Sequence, residues 1–332
     1  MNEKSPQPTI LPPGLISSIT AGFNSIAGNI YLILFPLVFD LLLWFGPHVR
    51  LRVLAQPFID NMNENMAAIN RADLSDIFQA TREVWQLIFE HFNLVTLIHT
   101  FPVGIPSLMV STLPLVTPLG DAPIYESSTL TSVFLLWVGF SLVGLICGSW
   151  YFADIASKTA ADGEKPNFIN VGTAAFQTLL LSIILIFAVS VILVPFILIL
   201  SIFSIINPVL AQIAILVLGI ILIWLLLPFV FSPHGIFTHK LSAVKSILIS
   251  LRLVRRFLPG TGLFILSLLL LSEGLNMLWR FAPESSWMAM VGIFGHAFIS
   301  TALVSSSFFY YRSGLNWMQE VINRTVSRGI KV

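Results

Sequence analysis

The chain has 332 residues, of which 56% are hydrophobic and only 10% charged, with a formal net charge of +1. Globular proteins carry roughly 25% charged residues, so this composition cannot cover a soluble surface and specifies a multi-pass membrane protein. The same figures exclude a disordered chain and a nucleic-acid binder, and the single Cys147 leaves no internal disulfide and no cysteine-built metal site.

Residues 1–26 read as a polar, proline-bearing cytoplasmic segment that ends in a short amphipathic helix. No small-residue cleavage site follows an isolated apolar core, so the first span is expected to be an uncleaved anchor. A helix crossing the hydrocarbon core needs about 20 apolar residues. The first such stretch is 27–46, ending at Gly46-Pro47.

Residues 47–130 form the one sizeable extramembrane region, expected to be helical. Leu51, Leu54, Phe58, Met62, Met66 and Ile69 recur at helical spacing, and Leu74, Phe78, Val84, Ile88 and Phe92 mark a second amphipathic helix. From His91 to Gly120 there is no charge, but Pro102, Pro106, Pro114 and Pro118 interrupt the run. Prolines strip helix hydrogen bonds that lipid cannot replace, so this segment is read as a re-entrant or interfacial loop. Its centre, Pro102, Gly104, Pro106 and Ser107, is either a packing element or the lining of a pocket.

Five further spans follow within 131–313: about 131–153, 171–203, 209–231, 260–279 and 287–309. The turn signal Asn207-Pro208 separates the middle pair. Between the fourth and fifth spans, Ile236 to Leu258 reads as one basic amphipathic helix. Its apolar stripe is Leu241, Val244, Ile247, Leu248, Leu251 and Val254, with Lys240, Lys245, Arg252, Arg255 and Arg256 between. Residues 314–332 remain as a tail. The expected fold is therefore all-α and polytopic, with about six transmembrane helices and amphipathic interfacial helices.

Orientation follows from the loops, since cytoplasmic loops are enriched in Lys and Arg. With six spans, twelve of the seventeen Lys and Arg residues fall on the side of the two termini, and nine of the sixteen acidic residues fall on the other. Both termini are expected in the cytoplasm of a cytoplasmic (inner) membrane. The basic 236–258 helix then faces anionic lipid at the inner leaflet, the expected partner.

Signatures of chemistry are sparse. The chain has no His-Glu-x-x-His helix, no Gly-x-Ser-x-Gly elbow and no phosphate-binding glycine loop, so no catalytic residue, metal ligand or cofactor is nominated. Asp40 and Glu273 stand out because an ionisable group inside a span is costly and faces a partner or a water-filled cavity. Either they share a site that binds a ligand or ion, or each has its own partner: Arg280 for Glu273, and Arg280, His48 or Arg50 for Asp40.

The stretch Phe231-Ser-Pro-His-Gly-Ile-Phe-Thr-His-Lys-Leu-Ser-Ala-Val-Lys-Ser-Ile-Leu-Ile-Ser-Leu-Arg-Leu-Val-Arg-Arg resembles one found in uncharacterised bacterial six-helix membrane families. It is also similar to the membrane domain of some glycerophosphodiester phosphodiesterases. Gly22-Phe-Asn-Ser-Ile and Phe35-Pro-Leu-Val-Phe-Asp-Leu-Leu-Leu-Trp-Phe-Gly-Pro resemble the start of hypothetical membrane proteins of Chloroflexi-type bacteria. The resemblance implies the fold and a bacterial inner membrane, and no activity, since the phosphodiesterase barrel is missing. The expected role is a non-enzymatic structural or accessory membrane protein. The alternatives are a small-solute or ion transporter using Asp40 and Glu273, and an intramembrane enzyme acting on lipid headgroups.

Overall fold

The structure is a computed structural model that describes residues 12–68, 75–160, 163 and 165–327. Ile69 and Leu74 of the outer helices, and Lys4, Arg71, Arg328 and Lys331 of the charge count, lie outside the described residues. The described residues are 79% helical, and the protein is an all-α polytopic membrane protein. Among the described residues five helices are long and apolar enough to cross a membrane, and a sixth crossing is reached if Leu15–Ala27 and Ile30–Phe45 count as one broken span.

In chain order the elements are α1 (Leu15–Ala27), a 3₁₀ turn and α2 (Leu34–Phe45), β1 (His48–Arg50), α3 (Arg52–Ala68), α4 (Ser75–His91) and the short α5 (Met109–Thr112). They continue with β2 (Val116–Thr117), β3 (Gly120–Asp121), β4 (Ile124–Glu126), α6 (Leu130–Lys158), α7 (Phe168–Ile206) and α8 (Pro208–Leu226). The chain closes with α9 (Ser232–His239), α10 (Ala243–Arg256), α11 (Leu258–Trp279) and α12 (Ala289–Ser327).

Three boundaries differ from the sequence reading. The basic segment 236–258 is two helices, because Lys240 takes a left-handed conformation at φ 52° that ends α9 before α10 begins. The last span runs on: α12 has 39 residues, about 58 Å at 1.5 Å each, so most of 314–332 is helix rather than free tail. In the region 47–130 the described helices before α6 are α3 and α4, which ends at His91, then a 3₁₀ turn and α5. Beyond His91, prolines that cannot donate to a helix leave loops and two small sheets. In one sheet β1 pairs in parallel with β4, and in the other β2 and β3 form a hairpin whose turn needs Gly120 at φ 107°.

The chain divides into two compact units. The loop-bearing unit comprises residues 30–148 and 273–301. At its centre Leu37, Phe39, Leu43 and Trp44 of α2 are buried, as are Val103, Ile105, Leu108 and Met109 of the proline-bearing loop, and α2 packs on α5. The Trp44 indole N–H donates to the Glu284 carbonyl at 3.0 Å. α3 and α4 pair through an edge-on contact of Phe58 with Trp85, and Ala55 and Ile59 are the buried line of α3. Phe58, Val84, Leu87 and Ile88 stay exposed, an apolar surface of the kind that lies in a leaflet.

The basic unit comprises the described parts of 1–29, 149–272 and 302–332. Phe231, Leu253, Val254, Phe264, Tyr310 and Tyr311 form its core, with Phe264 and Tyr310 stacked at 3.9 Å. α1 crosses α12 at Gly22, where a Cβ would run into Ala302 and Ser306. This small-on-small contact is how membrane helices approach closely when lipid gives no hydrophobic drive.

Candidate functional site

Two of the residue sets nominated from sequence meet in the loop-bearing unit. Asp40, on α2, is fully buried. One of its carboxyl oxygens accepts the Ser107 hydroxyl at 2.5 Å and the Met109 N–H at 3.0 Å, and the other accepts the Leu108 N–H at 3.1 Å. Ser107 in turn accepts the Val110 N–H at 3.0 Å. The two N–H donors are groups that the start of α5 leaves without helical partners, so Asp40 ties the loop to α2. None of the basic partners proposed for Asp40 takes that place. His48 instead bonds the Leu43 carbonyl at 3.1 Å.

The rest of the loop is held by its backbone. Gly144 and Gly148 of α6 are one turn apart, and a Cβ on them would overlap the backbones of Ile98 and Val103. This Gly-x-x-x-Gly stripe is legible in the sequence. What it faces is not, because the partner is an irregular loop rather than a second helix. Pro102, Gly104 and Pro106 are half-buried, while Val103 and Ile105 between them are buried. A cavity beside the clamp, lined by His48, Asn93, Thr96 and Met109 among others, measures only about 10 Å³. That is the space of about one water.

Glu273 is not brought to Asp40. It stands on the exposed side of α11 and makes no hydrogen bond or ion pair among the described residues, with Arg280 or any other group. Polar groups of the same unit meet elsewhere: the His296 ring bonds the Asn276 side chain at 2.8 Å, and Asn93 accepts from the N–H groups of Val49 and Val95. Among the described residues no group of three His, Cys, Asp or Glu could hold a metal ion.

In the basic unit, the apolar stripe of α10 is divided: Val254 is buried, Leu241, Ile247 and Leu251 are half-buried, and the rest faces out. The buried residues of α10 are Ala243, Ser246, Ser250, Leu253 and Val254, whereas Val244 and Leu248 are exposed. The reason lies in the break between α8 and α9. Pro228 interrupts the helix there, and Ser250 and Ser246 donate their hydroxyls to the carbonyls of Pro228 and Ser232, at 2.6 and 2.5 Å. Gln177 of α7 accepts the Ala243 N–H at 2.9 Å and so caps α10. Small hydroxyl residues thus occupy the packed face because they allow close approach and donate to these carbonyls. Lys240, Lys245, Arg252, Arg255 and Arg256 are all exposed, with Val244 and Leu248 beside them.

Sequence reading also passed over a part-buried pair in this unit. The His234 Nε2 and the Ser307 hydroxyl lie 2.7 Å apart, walled by the rings of Phe231, Phe308 and Tyr311. The serine run on α12 and the Ser-Pro-His start of α9 carry the residues, but nothing in their spacing places them opposite each other. No family model, curated protein or solved structure matches this chain.

Proposed function

We propose that this integral membrane protein is a non-enzymatic accessory protein of a bacterial cytoplasmic membrane, with both termini inside, that gathers anionic lipid along α10. The observation that carries the reading is the exposed surface of α10. Lys245, Arg252, Arg255 and Arg256 stand clear of the bundle next to exposed Val244 and Leu248, and residues 243–256 include no carboxylate. A helix with a packed inner face and a mixed apolar and basic outer face suits an interface rich in anionic headgroups. The engagement of Asp40 by three donors supports a structural rather than a transporting role for that carboxyl group.

A ligand that binds only the folded state raises the melting temperature. In neutral detergent, added phosphatidylglycerol raises the Tm of the purified protein and phosphatidylcholine does not. Replacing Lys245, Arg252, Arg255 and Arg256 with Gln narrows the difference, and the added lipid is recovered chemically unchanged. Equal Tm values in the two lipids contradict the lipid reading, and a hydrolysed lipid contradicts the non-enzymatic one.

A further inference from the structure

Building on that lipid reading, we infer that the basic unit also holds a discrete site for the phosphate headgroup of one anionic phospholipid, centred on Arg312. Two cavities of about 850 and 400 Å³ in this unit share Ala160, His239 and Arg312 as walls. Arg312 is fixed in place: its Nε donates to the Thr159 hydroxyl and one Nη2 hydrogen to the Ala156 carbonyl, both at 3.1 Å. A guanidinium has five N–H donors, so these two bonds orient the fork without exhausting it. A cation held in this way recognises phosphate oxygens with little further loss of side-chain freedom.

The walls indicate what else the ligand carries. The larger cavity sets Leu241, Ile249 and Phe309 beside the polar, exposed Ser313 and Asn316. Lys240 adds a second cation to the smaller one. Among the described residues no Asp or Glu lines either cavity. A free phosphate needs a small polar pocket. A space of this size with an apolar wall takes the headgroup together with the glycerol and the first part of an acyl chain.

Native mass spectrometry of the full chain in detergent tests the site, with dioleoylphosphatidylglycerol, dioleoylphosphatidylcholine and glycerol 3-phosphate as probes. The wild type binds its first phosphatidylglycerol at least tenfold more tightly than phosphatidylcholine. Arg312→Gln and Asn316→Glu each remove that tenfold preference, while Arg312→Lys keeps part of it. Asn316→Glu leaves the bonds of Arg312 to α6 in place, so the test survives if Arg312→Gln fails to fold. Wild-type affinity in both Arg312→Gln and Asn316→Glu overturns the site, and glycerol 3-phosphate binding as tightly as the lipid overturns its assignment to a lipid. The α10 variant with four Gln substitutions keeps the first tight lipid and loses the later, weaker ones. If it instead loses none, the α10 reading fails and the Arg312 site stands; if only the Arg312 site loses its effect, the reverse holds.

Discussion

Asp40 shows how far a single residue can be read from sequence. A carboxyl group thirteen residues into an apolar span announces that it has a partner, because lipid offers none. Which partner is a matter of three dimensions: the three donors come from residues 107–109, which composition alone marks only as a proline-interrupted loop. Hydrogen bonds to a charged group contribute about 1.5–3 kcal/mol each, and buried donors left without an acceptor add to the loss. Asp40→Ala therefore lowers unfolding stability by about 3 kcal/mol or more, against about 1 kcal/mol for Ser107→Ala, with Asp40→Asn between them. Denaturation in mixed micelles measures all three; equal losses for Asp40→Ala and Ser107→Ala would contradict the clamp. His48 supplies a pH test in the same unit. Burial holds its proton affinity below the ordinary value of 6.5, the bond to the Leu43 carbonyl opposing this and the nearby Arg50 charge adding to it. The unfolded chain then binds the proton more tightly than the folded one. The stability it contributes is complete above the ordinary value and is lost as pH falls below it. Melting curves taken from about pH 8 down to about pH 5 decline less steeply in His48→Gln than in the wild type, and parallel slopes would show that His48 has no part in the loss.

Among the elements, the spans were legible because twenty apolar residues have no other explanation, whereas helix faces were not. The stripe read on α10 marks its apolar residues but does not tell which of its faces packs on the bundle. Between membrane helices the guide is size and hydrogen bonding, so Ser246 and Ser250 turned in, and Val244 and Leu248 turned out. The same rule explains why Gly144 and Gly148 carry the loop backbone. Gly144→Leu inserts a side chain where a Cβ already overlaps the Ile98 backbone, and overpacking of this kind costs about 1–3 kcal/mol or more. Gly139→Leu on the same helix is the control, since a Cβ there meets nothing within 4 Å. Thermal stability falls for the first and holds for the second; a tolerated Gly144→Leu would mean that the loop does not rest on this stripe.

For the molecule as a whole, composition established the membrane class, and hydropathy picked out the five long apolar helices among the described residues. The expected first span, 27–46, is instead a short helix bent by 92° from α1, and α12 continues as helix past any apolar signal at its polar end. Hydropathy could not reveal the small sheets of 116–126, since strands of two or three residues leave no periodicity to detect. Orientation rests on the unequal distribution of Lys and Arg, and the lipid reading of α10 depends on it, because anionic lipid is concentrated at the cytoplasmic leaflet. Gln56 on α3 and Lys245 on α10 are both exposed and fall on opposite sides under this arrangement. The decisive measurement is labelling of Gln56→Cys and Lys245→Cys, each in a Cys147→Ala background, with a membrane-impermeant maleimide. The account predicts that Gln56→Cys reacts in intact cells and Lys245→Cys only after permeabilisation. Reaction of Lys245→Cys in intact cells, or protection of Gln56→Cys, would contradict it.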